Sequence, residues 1–337
     1  MDLGKAHILD CRLRHAQRYN VCDNSIQAGE MMKNSASLQA PPLWQLAVAY
    51  FLLYVVWGSS YLAIRFSVET IPPMLSGGIR FLTGGALLLP IRLRQTGRLP
   101  TMEGWKSAFW TSLLPFAATY GLITTAELVI PSSIAALLLA MEPLWFCILG
   151  WLFFKGKKPI LRHYLGIAAG FAGICILVAG DPNTNLSLKT GYTFGILLVL
   201  TSSITWVVGA FFSAKADIRE DTLTFSGMQM VCGGLEMMVI QLLFSLMTSK
   251  FPDFHAFSAR SVVALGYLIF FGSLVGYSSF LWLMRVQPAN RVATHAFVNP
   301  IIAVLVGWLI GGEALHINVM IALPLVTLSV ILMIIEK

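Results

Sequence analysis

Two dipeptides place polar chemistry inside apolar sequence. Glu142-Pro143 and Asn299-Pro300 each fall in the middle of a long hydrophobic run. Proline removes an intrahelical hydrogen bond and clashes with the carbonyl one turn back, so each pair is expected to free backbone carbonyls. In hydrocarbon such groups are tolerated only where they face protein or a water-filled cavity. A carboxylate at that depth is costly unless paired, hydrated or protonated. Two readings of Glu142 stay open. Either it lines a pathway and binds a substrate amine or a proton, or it is a protonated structural side chain bonded to a neighbouring carbonyl.

Other polar groups sit among the same runs. Arg80 lies about 10 Å inside the second run, at a rise of about 1.5 Å per residue. It keeps its charge, so it needs a counter-ion (Glu142, Glu69 or Glu127) or an anionic substrate group. Glu236 is another buried acid. His295 stands four residues before Asn299, on the same helix face, and reads as a polar interhelical contact or a proton relay. Glu313 ends the ninth run and reads as an interfacial helix-end carboxylate. Tyr54, Trp57 and Tyr61 recur at i, i+3 and i+7, with Ser60 beside them. This stripe either cradles an apolar or aromatic substrate or anchors the helix at the lipid interface. Tyr120, Trp145, Trp206 and Tyr277 are further wall candidates. Gly166, Gly170 and Gly173 share one helix face and suit close packing, with no ligand role.

What must position these groups is a set of membrane helices. The 337-residue sequence is 57% hydrophobic and 12% charged, about half the charge of an ordinary soluble domain. That little charge cannot cover a globular surface, so the lipid bilayer is the expected solvent. The net charge of +7 does not imply nucleic acid, because the basic residues form short clusters between apolar runs. The five cysteines include no C-x-x-C pair and read as small hydrophobes rather than a disulfide framework.

A spanning helix needs about 20 apolar residues. Ten runs qualify: 43–64, 73–92, 106–126, 130–153, 161–180, 191–212, 222–247, 262–284, 288–311 and 315–335. Pro72-Pro73, Gly156, Asp181-Pro182 and Gly311-Gly312 punctuate them. Residues 1–42 are polar, lack an apolar signal-peptide core and are expected to be a disordered tail. In this topology fourteen lysines and arginines, without counting the distant tail, fall on one side. Four, Arg65, Lys189, Lys250 and Arg260, fall on the other. The bias puts both termini in the cytoplasm.

The chain also repeats. At an offset of 157 residues, Pro131, Ala136, Pro143, Gly150, Trp151 and Leu152 meet identical residues at 288, 293, 300, 307, 308 and 309. That is six identities in 22 ungapped positions. The offset divides ten spans into five and five. Five is odd, so the second copy enters the membrane from the opposite side. Inverted repeats are an architecture of secondary transporters, whose sites lie near the midplane between the halves.

The run Trp57-Gly58-Ser59-Ser60-Tyr61 through Ile64-Arg65, then Glu69, Pro72-Pro73 and Arg80-Phe81, resembles the first span pair of EamA-type carriers of the drug/metabolite transporter superfamily. Ala126-Glu127, Pro131-Ser132, Ile134-Ala135-Ala136 and Glu142-Pro143 fit the same pattern, as does Phe297-Val298-Asn299-Pro300 through Gly311-Gly312-Glu313. The resemblance covers residues 43–335. It implies an all-α polytopic membrane protein of ten transmembrane helices, as two inverted five-helix repeats over 43–180 and 191–335. It further implies a bacterial inner-membrane carrier that exports amino acids or related metabolites by alternating access. It leaves the substrate open, because fold does not set function. His295 stands where such carriers are expected to hold a tyrosine or a small residue.

The expected partners are a small-molecule substrate and the bilayer, with protons through Glu142 or plain facilitated efflux as coupling options. There is no P-loop, no H-E-x-x-H and no Ser-His-Asp set. No cofactor, metal or catalytic residue is therefore implied. The alternatives are a membrane-embedded small-molecule receptor and an intramembrane enzyme.

Overall fold

The computed structural model describes residues 41–154, 158–179, 191–216, 220–287 and 289–334. The chain divides into two units, Met1–Ala47 and Val48–Lys337. Of the first, only residues 41–47 are described, where the first helix begins. The remainder of the expected tail lies outside the described residues, as do Gly156, Asp181-Pro182, Pro288, Cys11 and Cys22.

The regular structure among the described residues is helical and forms ten rods. The first two are α1 (Leu43–Val68) and α2 (Pro73–Thr96). Rod three joins α3 (Met102–Ser112), a π-helical segment Leu113–Ala118 and α4 (Thr119–Ala126). Rod four is α5 (Ser132–Leu139) followed by α6 (Glu142–Phe153), and rod five is α7 (Leu161–Ala179). Then come α8 (Tyr192–Lys215) and α9 (Thr222–Thr248). Rod eight joins α10 (Ala259–Tyr267), a π-helical segment Leu268–Gly276 and α11 (Tyr277–Val286). Rod nine is α12 (Ala289–Val292) and α13 (His295–Leu309), and rod ten is α14 (Ile317–Ile334). Rods three and eight carry the π segments and rods four and nine are interrupted, so each irregularity recurs five rods later.

The ends follow local chemistry. Pro72 and Pro73 open α2, and Gly97, at φ 64°, closes it with its N–H on the Leu93 carbonyl. Thr101 caps α3 by accepting from the Gly104 N–H, and Asp221 caps α9 by accepting from Leu223 and Thr224. Apolar side chains such as Phe194, Leu242, Phe244, Val263 and Trp308 are exposed, as expected of a surface solvated by lipid. Small polar side chains including Ser67, Ser112, Ser202 and Ser203 are buried.

The most extensive pairings are α2 with α9 and α7 with α14. Both join spans five apart and depend on glycine. A Cβ at Gly234 would stand 2.5 Å from the Leu82 backbone N, and one at Gly85 would stand 2.8 Å from the Gly227 carbonyl. Gly166, Gly170 and Gly173 face α14 as expected, where the Ser329 hydroxyl donates to the Gly166 carbonyl at 2.7 Å. Gly234→Ala is therefore expected to destabilise the bundle by about 1–3 kcal/mol, read as a lower unfolding midpoint in detergent. Gly266→Ala, with open space around the added carbon, should leave the midpoint unmoved. Equal midpoints for the two variants would contradict the close crossing.

Candidate functional site

Proline shapes the two interrupted rods differently. In rod four the helix stops at Leu139 and restarts at Glu142, with Pro143 in the first turn of α6. The Met141 N–H turns to the Leu138 carbonyl, and the Leu144 and Trp145 amides both turn to Met141. The Leu139 carbonyl faces a proline nitrogen that has no proton to give. Rod nine does not follow the expectation of a break at Pro300. That proline lies inside a continuous α13, and the interruption falls nearly two turns earlier, at residues 293–294. Asn299 stands just before that proline. With its amide nitrogen turned toward them, it reaches the His295 and Tyr54 carbonyls at 3.3 Å each. Asn299 is thus a cross-link from α13 to α1.

Arg80 is buried on α2, where its guanidinium lies 5.1 Å from the Phe81 ring centre and 5.2 Å from that of Tyr120. Its Nε donates to the Ser273 hydroxyl at 3.1 Å. The two π segments contribute here, one leading into Tyr120 and the other carrying Ser273; π segments often mark functional positions. None of the three expected counter-ions pairs with Arg80. Glu69 is held by Arg260 at 3.4 Å, neither oxygen of Glu127 has a hydrogen-bond partner, and Glu142 forms no ion pair among the described residues.

Glu142 keeps part of its surface accessible and makes no hydrogen bond among the described residues. The structural reading, a carboxyl bonded to a neighbouring carbonyl, is therefore not what the geometry shows. Tyr120 lies in the electrostatic field of both Arg80 and Glu142. Tyr61 lies in that of Glu142, Tyr120 and Glu127. Arg80 and Tyr120 are thus in contact, and Tyr61 and Glu142 belong to the same electrostatic neighbourhood. Tyr277 borders them, its hydroxyl donating to Ser226 at 2.9 Å.

The remaining candidates stand elsewhere. Tyr54 bonds Thr294 at 2.6 Å, and Trp57 packs on Phe280 and His295 at 5.2 and 5.3 Å. These rings join α1 to rods eight and nine. The His295 ring bonds its own chain at the Val292 carbonyl, so its contact across helices is aromatic rather than polar. The Ser60 hydroxyl is turned back to the Val56 carbonyl. Trp145 packs edge-on to Phe171 of α7, and Trp206 is half-buried on α8.

Two acids acquire roles that sequence reasoning missed. Glu236 accepts from the Ser112 hydroxyl at 2.6 Å, joining α9 to α3. Glu313 is buried rather than an interfacial helix-end group. Its carboxylate accepts from the Ser132 N–H and hydroxyl at 2.8 and 2.7 Å, from the Ser133 N–H at 3.1 Å, and from Arg65 at 2.7 Å. It therefore caps α5 from a remote part of the chain and completes an ion pair with α1. Gly312, at φ 66°, makes the turn, and a Cβ at Gly307 would stand 2.6 Å from the carboxylate. Burial raises the Glu313 carboxyl, but the bonds from Ser133 and Ser132 outweigh it and hold the group below its ordinary value. A cavity of about 210 Å³ beside it is lined by Arg65, Ser133, Gly312, Glu313 and His316 among others.

Comparison with known proteins agrees with this architecture. The EamA-like transporter family matches the chain twice, over residues 44–179 and 193–335. The uncharacterized inner membrane transporter YedA of Escherichia coli K12 is 34% identical over 290 residues, covering 86% of this chain and 90% of its own. The uncharacterized transporter YvbV of Bacillus subtilis is 26% identical over 296 residues, covering 86% and 92%. Protein PagO of Salmonella typhimurium is 25% identical over 284 residues, covering 83% and 90%. A solved structure titled only as the crystal structure of a protein aligns with a TM-score of 0.57. It is 17% identical and covers 85% of this chain and 95% of its own, which shows the shared fold.

Proposed function

The chain belongs to the EamA-like transporter family and is a multi-pass inner-membrane protein by homology, and on that premise we propose that it is a secondary carrier exporting amino-acid-like zwitterions. Its two five-rod halves alternate access around the Arg80–Tyr120–Glu142 cluster, with both termini on the cytoplasmic side. The observation that carries this reading is Arg80, a buried guanidinium over the Tyr120 ring with no acidic partner at ion-pair distance among the described residues, with Glu142 close enough to act on the same tyrosine. A solute bearing both a carboxylate and an ammonium satisfies both at once. The guanidinium fork suits a carboxylate, and Glu142 suits an ammonium. Tyr61, Tyr120 and Phe81 supply apolar walls and, at Tyr120, a ring over which Arg80 is already poised. The break at residues 140–141 gives rod four a hinge beside the carboxylate that would sense substrate.

The test is metabolite profiling of the medium around cells that overexpress the protein, beside cells that do not. A small set of zwitterionic compounds should accumulate only with the protein. Matching media, together with no loss of amino acids from preloaded proteoliposomes, would overturn the reading.

A further inference from the structure

Glu127, just past α4, is 3% exposed, and neither carboxyl oxygen has a hydrogen-bond partner. A buried polar group in that condition is rare and costly. Its surroundings are charged. Arg65 and Tyr61 face it from α1, Arg80 from α2, and Glu313 from the turn between α13 and α14. The Arg65 backbone is near enough to be felt but closes no bond of normal geometry. Burial first, and then Glu313, hold the carboxyl well above its ordinary value against the pull of Arg65 and Arg80. Glu313 is shifted the other way and stays charged. Two neighbouring carboxyls driven apart in this manner divide into a proton carrier and a fixed anion.

We infer that Glu127 is a proton-binding site, and that its deprotonated form competes with Glu313 for Arg65. With the proton in place, Arg65 stays on Glu313, and Glu313 stays on the N-terminus of α5. When the O–H bond breaks, the proton passes to solvent base, and the charge it leaves behind is felt first, among the cations, by Arg65, which also lines the cavity beside Glu313. The new carboxylate then draws Arg65 away and loosens the tie between α1, α5 and the α13–α14 turn. The inference rests on the carrier reading for what the proton drives, but not for the site itself.

Infrared difference spectra of the full chain in lipid, taken from neutral to alkaline pH, test it without a substrate. The unmodified protein should lose one protonated-carboxyl C=O band as pH rises. Glu127→Gln should lack that band, while Glu142→Gln and Glu236→Gln keep it. Arg65→Gln should move its midpoint up by about one pH unit or more, because a nearby cation favours the anion. A band that persists in Glu127→Gln overturns the proton site, and an unmoved midpoint in Arg65→Gln overturns the exchange. A chain that passes these tests but moves no solute would overturn the carrier reading alone.

Discussion

Glu142→Gln is expected to fold normally and to bind a zwitterionic solute at least about 30-fold more weakly. The change is isosteric, and Glu142 has no protein partner to lose among the described residues, so stability should stay within about 0.5 kcal/mol. On the proposed carrier reading, what it removes is the carboxylate offered to a substrate ammonium. Truncating one member of a desolvated charge pair costs about 2–5 kcal/mol, and about 1.4 kcal/mol is tenfold. The measurement is amino-acid binding and counterflow in proteoliposomes, beside the unmodified protein. Because glutamine keeps the polarity and shape of the site, a small loss would mean that the charge is unused. Full binding and counterflow in the variant would remove Glu142 from the pathway and leave Arg80 as the sole charged contact.

Much of the bundle was legible because lipid imposes a simple rule on sequence. All ten apolar runs became rods, and they end within a few residues of the expected limits except where polar residues extend a helix past the apolar stretch. Arg92 and Arg94 in α2 are such a case. There the chain remains helical at the membrane surface because its backbone groups still bond one another. Proline was the less faithful signal. Glu142-Pro143 marks a break because the next carbonyl back belongs to the last residue of α5. Asn299-Pro300 does not: Pro300 sits within a continuous helix and leaves the Ala296 carbonyl without its donor, while the Asn299 amide bonds the His295 and Tyr54 carbonyls. A side-chain bond of that kind depends on the neighbouring helix and leaves no trace in local spacing.

The site was legible as residue types but not as pairings. Arg80, Tyr61, Tyr120 and Glu142 stand out as polar groups at depth, and the fold gathers them. That Arg80 makes no ion pair among the described residues could not be read, since Glu69, Glu127 and Glu142 were equally available in the sequence. The π segments were invisible for a related reason. A π-helical stretch changes which face Tyr120 and Ser273 present without changing the apolar run that contains them.

The second large effect is expected at Glu313. Glu313→Ala should destabilise the protein by about 2–5 kcal/mol, since each buried donor left without an acceptor costs about 1–3 kcal/mol. Two amides and one hydroxyl, from Ser132 and Ser133, lose their acceptor. Arg65 adds less, because its side chain is 36% exposed and water can replace the lost partner. Glu313→Gln should fall between the two, because its carbonyl oxygen still accepts from α5 but offers Arg65 no charge. The carboxyl is held below its ordinary value of 4.5. Its contribution is therefore complete above that value and fades as pH falls through the lower folded one. The excess stability of the unmodified protein over Glu313→Ala should be complete near neutral pH and shrink in acid. Unfolding midpoints in mixed micelles across that range provide the check. A constant difference down to strong acid would mean that the carboxylate's charge takes no part, and that Glu313 holds α5 only by filling space.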